Sequence, residues 1–146
     1  MPNSLDVAEC ILREKGPMPA MKLQKLVYYC QAWSLVWDGK PMFDEPIEAW
    51  VNGPVVRALY EAHRGQFTVR SVGGRLNRLD NDARTTVTAV LAFYGDRDAQ
   101  WLSDLTHAEE PWKRARQGLP EDAPSGREIT VDSMAEYYSS IAPGGA

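Results

Sequence analysis

The chain carries two histidines, and their neighbours decide whether it could do acid–base or metal chemistry. His107 lies in the run Thr106-His107-Ala108-Glu109-Glu110-Pro111-Trp112, with Asp104 close before it. An imidazole beside carboxylates could serve a hydrolase, with His107 and Glu109 sharing the proton transfers. The spacing is not the His-Glu-x-x-His of a helical zinc site, and no third nitrogen or sulfur ligand follows. A structural assignment fits better: Thr106 and Glu109 have the Thr-x-x-Glu spacing of a capping box, with His107 bonding nearby carbonyls. His63, at the end of a short helical stretch, reads as structural or solvent-facing. Cys10 and Cys30 fall within the apolar periodicity of two helices and read as small buried hydrophobes. No Gly-x-Ser-x-Gly, phosphate loop or dinucleotide glycine fingerprint occurs. No catalytic residue, metal ligand or cofactor is therefore expected, and the protein reads as a non-enzyme.

The elements that must position these residues are mostly helices. Ser4 can cap a first helix carrying Leu5, Ala8, Ile11 and Leu12, which Gly16-Pro17 ends. A second helix starts near Met21. Leu23, Leu26, Val27, Cys30, Trp33 and Trp37 form one apolar stripe along it, and Tyr29, Ala32 and Val36 form another. Two stripes predict burial on two sides, so this is the central helix. Asp38-Gly39-Lys40-Pro41 stops it. Ile47, Ala49 and Val51 alternate with polar or larger residues as in a half-buried strand. Gly53-Pro54 then reads as a helix start, because proline suits a first helical turn. Phe67 to Leu79, around Gly73-Gly74, reads as a small hairpin or a mobile loop. Asp80 or Asn81 caps a further helix, Asp98 another, and Met134, Tyr137, Tyr138 and Ile141 mark the last.

Together these elements predict a mainly α, α+β protein with one domain over residues 1–146. Its core is expected at about 4–141, with a frayed tail at 142–146. The architecture expected is a bundle of five to seven helices around a central apolar helix, with a small hairpin or short sheet. At 146 residues, 44% hydrophobic and 25% charged, the chain can bury a core without metals or disulfides. No apolar run approaches the ~18 residues of a membrane span, and MPNSLDVAEC lacks the layout of a signal peptide. A cytoplasmic protein is expected. The net charge of −4 argues against a dedicated nucleic-acid binder, and no helix-turn-helix with a basic recognition helix is found. The charge is uneven: Arg57, Arg64, Arg70, Arg75, Arg78 and Arg84 cluster mid-chain, and Lys113, Arg114 and Arg116 follow later.

Several runs carry a resemblance to a known family. Lys22-Leu23-Gln24-Lys25-Leu26, Tyr28-Tyr29 and Ala32-Trp33 open it, and Pro46-Ile47-Glu48-Ala49-Trp50 with Gly53-Pro54-Val55 continues it. Thr106-His107-x-Glu109-x-Pro111-Trp112 and Tyr137-Tyr138 close it. On these motifs the chain resembles the Panacea antitoxin domain, the SocA-like or phage-associated GepA-like family. The resemblance implies an antitoxin that neutralises a protein toxin encoded in the same operon, usually by forming a complex. In one branch such a protein is an adaptor that delivers the toxin to an ATP-dependent protease, a ClpXP-type machine. It also implies a helical fold around a small sheet, and it makes Tyr29, Trp33, Trp50, Gly53, Pro54 and the other motif residues scaffold positions.

A scaffold that accepts varied toxins should vary its surface while keeping its core. The toxin-interface candidates are therefore Arg57, Tyr60, Arg64, Phe67, Arg70 and Arg75, because arginine and aromatic residues are enriched at interface hot spots.

Overall fold

The computed structural model describes residues 1–142 of the chain. Its first helix, α1 (Ser4–Lys15), is capped by Asn3 rather than by Ser4. The Asn3 side chain accepts from the Asp6 amide at 3.0 Å, and the Asp6 carboxylate accepts from the Asn3 amide at 2.9 Å. This reciprocal box satisfies two of the amides that a helix start leaves free. Ser4, already inside the helix, donates instead to Glu45. Gly16, at φ 87°, ends the helix in a conformation that suits glycine.

After a two-residue strand β1 (Met18–Pro19) comes α2 (Ala20–Trp37), and every residue from Leu23 to Ser34 is buried. Such a helix has no solvent face, so its neighbours must cover it on all sides. They are α1, α3 (Arg57–His63), α4 (Asn81–Tyr94), α5 (Ala99–Ala108) and α7 (Val131–Ile141). The remaining helix, α6 (Glu110–Ala115), bridges α5 and α7. The described residues form seven helices and two small antiparallel sheets, of three and two strands, so the chain is a mainly α member of the α+β class. Asp80, Asp98 and Thr130 cap α4, α5 and α7 with their side chains.

Two glutamines, seven residues apart on α2, fix the chain beside it. The Gln24 amide accepts from the Val56 N–H at 2.9 Å and donates to the Val56 carbonyl at 3.3 Å. Two turns later Gln31 accepts from the Met42 and Phe43 N–H groups and donates to the Phe43 carbonyl at 2.8 Å. Each side chain thus acts as one residue of a neighbouring strand would.

The three-stranded sheet runs β3 (Gly53–Val56), β2 (Ile47–Trp50), β5 (Glu128–Ile129). Gly53-Pro54 therefore opens an edge strand and not a helix, correcting the reading of proline as a first-turn residue; α3 begins at Arg57. Pro54 is opposite Ala49, whose own amide donates to Arg127 on the far side. Their pair is the non-hydrogen-bonded kind, so the missing proline N–H breaks no ladder bond.

Residues 67–79 are neither hairpin nor free loop. Strand β4 (Thr68–Val69) pairs with β1, and a 3₁₀ turn spans Leu76–Arg78. Between them the chain is strapped onto α1 by buried carboxylates. Glu9 accepts from Ser71 Oγ and the Val72 N–H, and Asp6 accepts from the Arg75 N–H at 2.8 Å. Gly74 lies so close that a Cβ there would sit 2.0 Å from the Leu5 carbonyl oxygen. At the other end Ala142, counted with the frayed tail, is buried; 143–146 lie outside the described residues.

Gln24→Leu leaves the Val56 N–H and C=O and the His63 imidazole without their partner inside the core. The expected loss is at least about 2 kcal/mol of stability, read from the urea midpoint with an unchanged slope.

Candidate functional site

Lys25 follows Gln24 on α2 and is fully buried. Its Nζ has no hydrogen-bond partner. An unpaired ammonium inside a protein is costly, and burial pushes this amine down from 10.5 to about 7. Its stem passes under the β2–β3 turn. A Cβ on Gly53 would lie 2.4 Å from Lys25 Cε and 3.0 Å from Thr106 Oγ1. With φ at 122° as well, Gly53 is held to glycine by both backbone and space. Glycine is thus what lets the lysine stem pass beneath the turn.

His107 comes to the same place from the end of α5. Its ring stacks on Trp112 with centroids 4.0 Å apart, and its Nε2 is buried without a partner. Burial, and then the nearby Lys25 charge, lower its pKa, so the neutral ring is favoured. Among the described residues, Lys25 Nζ and His107 Nε2 are the buried side-chain nitrogens left unbonded. Both residues line one open cleft of about 740 Å³. Its wall includes Met21, Phe67 and Ala99, and its rim Arg64, Asp98 and Asp104.

His63 also lines this cleft, but it is buried rather than solvent-facing. Gln24 Nε2 lies 2.9 Å from His63 Nε2. Because Gln24 Oε1 already accepts from Val56, Nε2 is the donor and the His63 nitrogen accepts. Burial lowers the His63 pKa, in keeping with that neutral form. A second cleft of about 600 Å³ adjoins the first through Met21 and Asn52 and is lined by Trp50 and Arg57. Ser103 Oγ donates to the Asn52 carbonyl at 2.6 Å and fixes the turn between the two.

The interface candidates divide. Tyr60, Arg64 and Phe67 line the larger cleft and Arg57 the smaller. Arg57 is engaged by Glu48, with contacts of 2.9 and 3.0 Å, and lies over the Trp50 ring. Arg70 and Arg75 are exposed on the strap over α1, and neither lines either cleft.

Glu109 and His107 have separate surroundings. Glu109 is not part of a capping box, since Thr106 Oγ1 donates to the Ser103 carbonyl within α5. The buried Glu109 carboxylate instead accepts from Tyr29 at 2.8 Å and Tyr138 at 2.7 Å, and Tyr138 also meets Tyr28 at 3.0 Å. Burial raises its pKa, and the two tyrosine bonds pull the other way. Tyr29 stacks on Tyr94, whose hydroxyl accepts from Trp33 Nε1. This cluster joins α2, α4 and α7 at the α5–α6 turn.

The other motif residues hold the frame. Leu23, Leu26 and Val55 are core; Pro111 is buried, and Lys22 is half-buried. Trp112 Nε1 donates to the Trp50 carbonyl at 2.8 Å. Two residues escaped the sequence reading. Gln31 was hidden within an apolar stripe. Arg116, which the sequence groups with Lys113 and Arg114, is buried and donates to the Ala49, Pro120, Glu121 and Ala123 carbonyls. The cysteines are free and buried, and burial pushes Cys10 up to about 11. Among the described residues no group of three or more His, Cys, Asp or Glu could hold a metal ion. Nor is any helix there long and apolar enough to cross a membrane.

Lys25→Met keeps the length of the stem and removes the unpaired amine, so below about pH 7 it is expected to stabilise the fold by roughly 3–5 kcal/mol. The folded pKa, about 7, lies below the unfolded value of 10.5, so the unfolded chain holds the proton more tightly. The wild-type penalty is complete below about pH 7 and fades as pH rises toward 10.5. Denaturation of both proteins across that range should show the gap closing at high pH; a constant gap would refute the assignment.

The family model described as "Antitoxin SocA-like, Panacea domain" matches residues 23–113. No curated protein and no solved structure is found to match. The matched span runs from the first turns of α2 into α6 and contains Gln24, Lys25, Gly53, His107 and Trp112. Helices α1 and α7, which complete the cover of α2, lie outside it. With more than half of its 146 residues matched, the chain belongs to the SocA-like antitoxin family that carries the Panacea domain.

Proposed function

We propose that this protein is the antitoxin of a toxin–antitoxin pair, and that it neutralises a cognate protein toxin from the same operon by direct complex formation. The family supports a toxin partner. The observation that carries the location is Phe67, which lines the larger cleft and is 80% exposed. A large aromatic side chain left in water beside an arginine and a tyrosine is the composition of an interface anchor. Arg64 and Tyr60 supply those neighbours, and Arg57 extends the surface to the adjoining cleft. Arg70 and Arg75, on the strap, are left out of this surface.

The role is one of binding, not turnover. Glu109 is occupied by two tyrosines and His107 is stacked on Trp112, so the residues that a hydrolase would pair serve different clusters. Complex formation is also the first step if the toxin is then passed to a ClpXP-type protease.

Co-expression with the product of the neighbouring reading frame tests the proposal. Wild-type protein should restore growth and co-purify with the toxin. Phe67→Asp combined with Arg64→Glu should weaken the complex about tenfold or more while the helical circular dichroism persists. Arg70→Glu with Arg75→Glu should bind as wild type. Unchanged binding by the first pair would remove the cleft from the interface, and rescue without a complex would remove direct neutralisation.

A further inference from the structure

The larger cleft combines three features that the scaffold does not require. Its floor carries Lys25 and His107, each ending in a nitrogen with no protein partner. Polar groups this deep are normally bonded, and elsewhere in this protein they are: Gln24, Gln31, Glu109 and Arg116 are all satisfied. A neutral core residue of the same length would fill the Lys25 position without the cost of an unmatched amine. Above the floor the walls are largely apolar, from Ala20, Met21, Phe67 and Ala99. The space, about 740 Å³, is that of a small-molecule site.

We propose that this cleft binds a small monocarboxylate with an apolar body, its two oxygens taken by Lys25 Nζ and His107 Nε2. A carboxylic acid that leaves its proton on His107 Nε2 would meet two donors there, the imidazolium and the Lys25 ammonium, one for each of its oxygens. The rim argues against a phosphate ester. Asp98 and Asp104 stand at the opening and would repel a dianion, and the floor offers no guanidinium fork. Lys25 Nζ is itself covered, so the lysine must turn toward the cleft about its four-carbon stem to meet the ligand. Glycine at position 53 leaves the stem its passage under the turn. The ligand body would lie against Met21 and Phe67, so an occupied cleft would present a different surface from an empty one. The site is read from this chain alone, independently of whichever protein binds the rim.

Calorimetric titration of the purified full chain with 4-phenylbutyrate tests this directly. One saturable site is expected, with at least tenfold weaker binding of the neutral 4-phenylbutyramide. Lys25→Met and His107→Phe should each lower the carboxylate affinity by about tenfold and leave the amide unaffected. In wild type, the Lys25 Cε resonance should shift on saturation with the carboxylate. Equal binding of acid and amide, or undiminished carboxylate affinity in both variants, would overturn the site. Tighter binding of 4-phenylbutyl phosphate than of the carboxylate would overturn the ligand class. A protein that rescues growth yet binds no carboxylate would sink this inference and leave the antitoxin role standing.

Discussion

The polar side chains that α2 carries between Leu23 and Ser34, Lys25 apart, find their partners inside the protein, because that stretch has no face in water. The rest of the architecture follows from how this is met. Gln24 bonds the sheet edge, Gln31 bonds the chain at Met42 and Phe43, and the α2 tyrosines bond into the Glu109 cluster. A helix usually relies on amphipathicity to choose its neighbours. Here the apolar surface is nearly uniform, and the amides and hydroxyls decide which element lies where. Buried polar networks specify one arrangement in this way because a wrong one leaves groups unsatisfied.

The same device recurs away from α2. Asp6 and Glu9 hold the strap at 71–75, and Arg116 holds the chain at 120–123. In each case one buried polar side chain fixes a loop through the loop's backbone. Irregular segments have no ladder of their own to satisfy their N–H and C=O groups, so a side chain supplies the bonds. Lys25 and His107 stand apart from this pattern, and that contrast makes their cleft a site rather than another joint.

This also explains what could be read from the sequence. The double stripe of α2, the cap at Asp98, a cap at Asp80 or Asn81 and the one-sided faces of the outer helices depend on side-chain type and spacing, and all were legible. The clamps were not, because their partners are backbone groups that every residue carries. Gln24 and Gln31 stood in the open, seven residues apart, but nothing in the chain said which carbonyl each would meet. Gly53-Pro54 failed for a related reason. Proline fits both a first helical turn and the outward positions of an edge strand. Only the register with Ala49 separates the two. Thr106 and Glu109 had the spacing of a cap, but a buried tyrosine pair competes better for a carboxylate than one helix-end amide in water. As for the site, His107 was singled out by type, whereas Lys25 looked like one more motif position. Its isolation is a property of the folded state alone.

The tyrosine cluster has a consequence for the order in which the protein can assemble. Tyr28 and Tyr138, which share a hydrogen bond, are 110 positions apart in the chain. During synthesis, which proceeds at roughly 5–20 residues per second, α2 leaves the ribosome long before α7 exists to cover it. Until then the α2 face around Tyr28 has no permanent cover, and Glu109 lacks one of its two hydroxyl partners. Long-range closure of this kind slows folding and prolongs exposure to chaperones and proteases. Helix α7, made well after α2, therefore completes the cover of the core, and a chain that stops short of it leaves the α2 face around Tyr28 uncovered.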